Sequence, residues 1–320
     1  MFKKFVAGLA FVLVSAAHAF QPTGPVAATI GFAPGSGNEI SFRAVSSMIE
    51  KQNPNINFII DLRPGADEII ALTHFGEQKP DGRSLYVVSQ NNFALIETWF
   101  PNRLKFKMEE LVLVTNIAKS PLCIVANAKS TVNTPKELID RIKNTKTPIN
   151  FGLGSAGQRL IFEYMMEKVG GNGDMVQSVM YKGPGPVLQD LAGGNIEFAI
   201  IPTAVANTMA QSGKIKFIAL ASEHKLAKLP DVPLMKDYVK DLYFYAAWGI
   251  ALPIGSTKEQ VDYYRNLFVP VINSPEAKEF FDNNMMLTFP AEQTPDGMRR
   301  NVEKVNAQWG PYARKFNPNK

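Results

Sequence analysis

The sequence predicts an α/β protein of two lobes, each a doubly wound, mostly parallel sheet, joined by a two-strand crossover. Three observations carry this. Apolar runs of strand length alternate with helical patterns almost without a break, as βαβ units do. Loops of small residues follow strands in both halves of the chain. The series restarts near Lys119-Ser120-Pro121, and a late strand at 248–252 returns to the first lobe. At 320 residues the chain is long enough for two domains with a sizeable core. The expected division is a leader over 1–19, a first lobe over 20–120 plus 246–320, and a second lobe over 121–245.

The leader reading rests on Lys3 and Lys4, the apolar run 5–14 and an A-x-A site at Ala17-His18-Ala19, with cleavage after Ala19. The run is too short to span a bilayer, and no cysteine follows it to carry a lipid. An exported, soluble mature chain is expected. Loss of Lys3 and Lys4 lowers the net charge from +5 to +3. No Lys/Arg cluster interleaves with aromatics, so nucleic acid is not an expected partner. Cys123, the only cysteine, lies in the apolar run 122–125 and reads as a buried strand residue.

In order, strands are expected over 26–32, 55–62, 84–89 and 111–116, with helices over 40–51 and 67–75. Ser36 and Glu39 have capping-box spacing ahead of the first helix. The second lobe opens with a strand at 122–126. Thr134-Pro135-Lys136-Glu137 then supplies an N-cap, a first-turn proline and a capping-box glutamate for a helix to about Lys143. Strands at 148–151, 175–181, 196–201 and 215–221 follow, with helices at 160–169, before Gly193-Gly194, and from Pro202-Thr203. After the returning strand, Ser256-Thr257-Lys258-Glu259, Ser274-Pro275 and Thr294-Pro295 open three helices. Val302, Val305 and Trp309 mark an apolar face on the last.

The stretch Phe151-Gly152-Leu153-Gly154-Ser155-Ala156-Gly157 sits between a strand and a helix, with G-x-G-x-x-G spacing. A nicotinamide site fails on context: the unit is mid-chain, and Asp174 precedes the next strand rather than closing it. The same small residues suit any small anion approaching backbone N–H groups at a helix N-terminus. Gly35-Ser36-Gly37-Asn38 in the first lobe and Gly183-Pro184-Gly185 in the second have the same placement. Two such lobes can close on a small ligand by a hinge.

Catalytic signatures are missing. His74 and His224 sit in a helical run and a charged loop, and neither H-E-x-x-H nor a Cys/His cluster offers a metal site. Ser155 is not a nucleophile elbow, because Leu153 stands where a glycine is needed. The pairs Asp67-Glu68 and Glu109-Glu110 are adjacent in sequence only. The expectation is a non-enzymatic binding protein without a cofactor. The alternatives are an exported enzyme of unrecognised type, and a binding protein for an amino acid, polyamine or phosphate.

These residues resemble the Bug (TctC-like) periplasmic substrate-binding receptors of tripartite tricarboxylate transporters. Phe32-Ala33-Pro34-Gly35 resembles their F-A-P-G-G loop, and Arg63-Pro64-Gly65-Ala66 matches R-P-G-A. Pro80-Asp81-Gly82 with Ser84-Leu85 matches P-D-G-x-T/S-L. Tyr181-Lys182-Gly183 with Leu188, Asp190-Leu191 and Gly193-Gly194 matches Y-K-G…L-x-D-L-x-G-G. Leu229-Pro230-Asp231-Val232-Pro233 and the segment 249–255 complete a series covering nearly the whole mature chain.

The resemblance implies a type II periplasmic-binding fold. It also implies a monomeric receptor that hands a small carboxylate to the membrane permease subunits of a tripartite tricarboxylate transporter. The implied clamp is Pro34, Gly35, Ser36, Gly37, Asn38 and Glu39 against Gly154, Ser155, Ala156 and Gly157. Ser89 and Thr203 offer further hydroxyls, and Tyr181 and Lys182 open a nearby loop. The chain departs from the family at Ser36 for the second glycine of P-G-G, at Glu39 for an aspartate, and in a shortened serine loop at 155–157. Asp67-Glu68-Ile69 replaces G-G-N. Facing the cleft, these acids would repel a plain di- or tricarboxylate and suit a zwitterionic or cationic ligand. Alternatively they start the next helix, where negative charge is favoured.

Overall fold

A computed structural model describes residues 20–317 of the chain, so the expected leader lies outside the described residues. The chain opens with β1 (Val26–Ile30), α1 (Gly37–Gln52), β2 (Phe58–Leu62), α2 (Ile69–Phe75), β3 (Ser84–Ser89) and α3 (Gln90–Trp99). β1 pairs in parallel with β2 and with β3. Ser36 caps α1 by accepting from Glu39 N at 3.4 Å. Glu39 does not complete the box at Ser36; it accepts from Gly35 N at 2.8 Å and pairs with Arg43 at 2.6 Å.

Next comes β4 (Val112–Asn127), one strand of 16 residues where the sequence suggests two. Its first half pairs with the returning strand, β9 (Tyr245–Leu252), and its second half enters the other sheet. The expected break at Lys119-Ser120-Pro121 is therefore mid-strand, with Pro121 still opposite Tyr245. Proline cannot donate to a ladder. Here its carbonyl takes the Thr203 hydroxyl at 2.7 Å.

The second lobe runs α4 (Pro135–Asn144), β5 (Ile149–Leu153), α5 (Ala156–Val169), β6 (Val176–Met180), α6 (Pro184–Gly193), β7 (Phe198–Pro202), α7 (Thr203–Gln211) and β8 (Ile215–Ala221). β5 is parallel to β6 and β7, and β4 lies antiparallel between β7 and β8. Thr134 and Glu137 form the expected capping box of α4. After β9, the chain closes with α8 (Lys258–Ile272), α9 (Pro275–Asn283) and α10 (Pro295–Lys315). Thr257 caps α8 with Gln260 as its box partner, one residue later than the Ser256–Glu259 spacing suggests.

Two of the cores centre on one lobe each. One gathers β1, β3, β9, α1 and α8 around Phe42, Trp248 and Phe268. Another packs Cys123, Val125, Val187 and Ile201 of the second lobe. A third joins the two: Ala94, Leu95 and Trp99 of α3 pack with Phe151, Leu160 and Tyr164 and with Trp309 and Ala313 of α10. Trp99 Nε1 donates to the Ala313 carbonyl at 2.9 Å. Each large side chain so buried contributes about 1.5–3 kcal/mol, which ties α3 and α10 to the second-lobe helices. Among the described residues, no helix is long and apolar enough to cross a membrane.

Candidate functional site

The loops picked out by sequence meet between the lobes. The first-lobe loop after β1 lies against the loop before α6: Ala33 N donates to the Lys182 carbonyl at 3.0 Å. A Cβ added at Gly185 would lie 2.4 Å from the Pro34 carbonyl oxygen, and one at Gly35, where φ is +80°, would meet Gly185. Gly154 packs equally tightly on the Gly183–Pro184 backbone. Pro34, Gly35, Gly154 and Lys182 are thus brought together, and small residues are what let the two lobes close to backbone contact.

The remaining predicted residues divide. Ser155 caps α5 by accepting from Gln158 N at 3.4 Å, and Gly157 packs on the Phe244 ring. Ala156 presents its N–H to a carboxylate of the other lobe. Ser36 is spent on capping α1. Gly37 lies where any Cβ would fall 2.0 Å from Trp248. Asn38 turns into its own lobe, donating to the Val87 carbonyl at 3.0 Å. Tyr181 gives its hydroxyl to Asp190 at 2.7 Å, which raises the Tyr181 pKa to about 12, burial being the larger cause. Thr203, expected as a free hydroxyl, is fully buried and bonded to Pro121. Ser89 ends β3, and its backbone N–H serves Glu68.

The partner of Ala156 is Asp67. The segment after Gly65 does not start a helix with its acids: Ala66, Asp67 and Glu68 all have positive φ, at 47°, 49° and 75°, and α2 begins only at Ile69. Three consecutive non-glycine residues in this region cost on the order of 1 kcal/mol each. The turn sends the two side chains opposite ways. Asp67 reaches the second lobe, where Oδ1 accepts from Ala156 N, in the first turn of α5, at 2.9 Å. Glu68 turns into the first lobe, beneath Gly31, where it accepts from Tyr86 Oη at 2.9 Å and from the Ser89 N–H. Burial pushes the Glu68 pKa up to about 8, against these hydrogen bonds. The Asn92 side chain also bears on this carboxyl and lowers its pKa as a hydrogen-bonding group, although its buried Nδ2 meets no acceptor in full hydrogen-bond geometry. Asp67 is also raised, chiefly by burial, with Arg159 and the Ala156 amide opposing.

Beside this turn lies an interlobe cavity of about 310 Å³. Gly31, Phe32 and Asp67 wall it from one lobe and Arg159, Tyr181 and Lys182 from the other, with Trp99 and Phe100 below. Arg159 Nε is buried without a hydrogen-bond partner, 3.6 Å from Glu163. A second cavity, of about 650 Å³, lies at the crossover beside the Lys119–Glu292 pair and contains none of the predicted residues. Among the described residues, no group of three or more His, Cys, Asp or Glu side chains could hold a metal.

The sequence model of the tripartite tricarboxylate transporter family receptor matches residues 42–317. The chain belongs to this family. A UPF0065 protein of Bordetella bronchiseptica is 26% identical over 242 residues, 75% of this chain and 71% of that one. Protein BugT of Bordetella pertussis is 22% identical across 92% of this chain and 89% of its own. Among solved structures, the periplasmic binding protein BugD superposes with a TM-score of 0.83 at 22% identity, covering 91% of this chain and 97% of that one. A Rhodopseudomonas palustris protein with adipate gives 0.85 at 19% identity over 92% and 97%. MatC of the same organism, with bound malate, gives 0.83 at 18% over 90% and 98%. The architecture is therefore the two-lobed type II periplasmic-binding fold. As a member of the receptor family, the chain is a solute-binding protein.

Sequence reasoning missed Arg159, Gln158, Tyr86 and Asn92. Arg159 follows the glycine loop by only two residues, and its position in the first turn of the predicted anion-facing helix was an available signal. For Asp67 and Glu68 the signal was the replacement of two glycines. The glycine pattern marked positions of positive φ, and the acids keep that backbone.

Proposed function

We propose that the chain receives a small organic acid in the interlobe cavity and delivers it to the membrane permease of a tripartite tricarboxylate-type transporter. It would act as a periplasmic monomer once the leader is cleaved after Ala19. The lobes are taken as 20–120 with 246–320, and 121–245, turning about β4 and β9. The observation that carries the reading is the cavity itself. Its walls come from both lobes, and they include Lys182 and Arg159, whose Nε is buried without a hydrogen bond and 3.6 Å from Glu163. A guanidinium so placed gains a charge-assisted hydrogen bond when a carboxylate enters. Structural neighbours that carry adipate and malate support the ligand class.

Asp67, on the same wall, favours a second reading in which the solute also bears an amino group. A thermal-shift screen of the mature chain against carboxylates, amino acids, polyamines and phosphate separates the two. A solute at about one hundred times its Kd adds about 2.7 kcal/mol of stability, and Arg159→Ala should abolish the shift. A shift with polyamines alone, or one indifferent to Arg159→Ala, overturns the organic-acid assignment.

A further inference from the structure

Asp67 and Glu68 do more than line a wall. The left-handed turn at 66–68 places one carboxyl group on the first turn of α5, through Ala156 N, and the next on the residue capping α3, through Ser89 N. These helices belong to different lobes, and both begin at the same turn, α5 with the N–H of its first residue and α3 with the N–H of its cap residue. Each is long enough, at 14 and 10 residues, to carry a positive end. Around Glu68 the groups that would meet the carboxyl end of a ligand are already assembled: Tyr86 Oη, the Ser89 N–H and the buried Asn92 side chain, whose Nδ2 meets no acceptor in full hydrogen-bond geometry. Gly31 leaves the space the Glu68 side chain crosses, since a Cβ there would fall 2.5 Å from Glu68 Cγ. Two donor sets, one per lobe, are spanned by two adjacent side chains of the chain itself.

We propose that Asp67 and Glu68 are specificity-determining residues: they are tethered stand-ins for the two ends of a short dicarboxylate, filling both donor sets so that the receptor excludes dicarboxylates and selects a monocarboxylate held at Arg159 and Lys182. This rests on the reading that the solute enters the interlobe cavity. The backbone bears a cost to keep the stand-ins in place, because three residues hold positive φ without glycine.

The test replaces the pair by residues that keep the turn. Asp67→Gly with Glu68→Gly suits the left-handed backbone and empties both positions. Titration calorimetry with succinate and glutarate should show no measurable binding to the wild-type chain and at least tenfold tighter binding to the double glycine variant. Asp67→Asn with Glu68→Gln removes both ionisable carboxyl groups but keeps both positions filled, and should gain nothing. Wild-type binding of succinate as tight as the variant's, no gain in a variant whose circular dichroism and melting show it folded, or a gain in the Asn/Gln variant would each overturn the assignment. A lactate and benzoate arm keeps the two proposals apart. If monocarboxylates bind the wild type and Arg159→Ala removes them, the cavity reading stands whatever the dicarboxylates do. If neither acid binds the wild type or the variants, the cavity reading fails first.

Discussion

Glu68 should make the stability of this protein fall as pH rises through neutrality. Its carboxyl titrates near 4.5 when exposed in the unfolded chain and near 8 when buried in the folded one. Between those values the folded chain keeps a proton that the unfolded chain has released, so stability is complete below about pH 4.5 and is withdrawn as pH climbs to about 8. Each tenfold difference in proton affinity is worth about 1.4 kcal/mol, which puts an upper bound of about 5 kcal/mol on the whole effect. Water penetration and relaxation around Tyr86 and Asn92 reduce it in practice. Glu68→Gln preserves the size of the side chain and an oxygen to accept from Tyr86, but has no proton to lose. Urea unfolding of both proteins from about pH 5 to about pH 9 gives the comparison. Asp67, raised in the same direction, is present in both, so the difference isolates Glu68 together with its coupling to Asp67. The wild type should lose several kcal/mol more than Glu68→Gln across the series. Parallel curves would show that Glu68 is ionised in the folded chain and that the burial argument is wrong.

Other substitutions test the packing. Thr203→Val removes the donor to the buried Pro121 carbonyl and should cost about 1–3 kcal/mol in chemical denaturation. Gly37→Ala drives a methyl into Trp248, which cannot move without opening the first-lobe core; a loss of about 1–3 kcal/mol or more is expected by the same measurement. Gly185→Ala should leave each lobe folded but hold them apart, because its Cβ meets the Pro34 carbonyl of the other lobe at 2.4 Å. Small-angle scattering should report a larger radius of gyration with unchanged circular dichroism.

Most elements were legible because their signals are local. Capping boxes and first-turn prolines placed the starts of α4, α9 and α10, and β3 and β8 run over the residues their apolar patterns marked. Two features were not. β4 reads as two strands because Lys119, Ser120 and Pro121 interrupt its apolar run; the crossover buries Lys119 against Glu292 and Phe289 and bonds Ser120 to Met285 and Ala204. Such partners, more than eighty residues away, leave no local trace. α3 escaped notice because it is buried on nearly every side, Gln90, Asn91 and Asn92 included, so it has no polar face to give a period. At the site, the small-residue loops were visible as loops, but which hydroxyls remain free was not. Thr203, Ser36 and Asn38 look alike in sequence, and only the fold decides that all three are committed to backbone groups of other residues.

The passage of β4 through both sheets bears on how the lobes can move. A loop hinge turns about one or two bonds and has no preferred angle. Here both connections are strands, still paired at Pro121 and Tyr245, with the irregularities in their ladder at 113–115 and 116–118 on the first-lobe side. Any change of angle has to be spread through the twist of a two-stranded ribbon. Such a ribbon behaves as a leaf spring: it has a rest position set by its own twist, and the restoring force grows with displacement. On the proposed hinge, a solute that changes the angle between the lobes would work against this elastic load, and the ribbon's return to its rest twist would favour release.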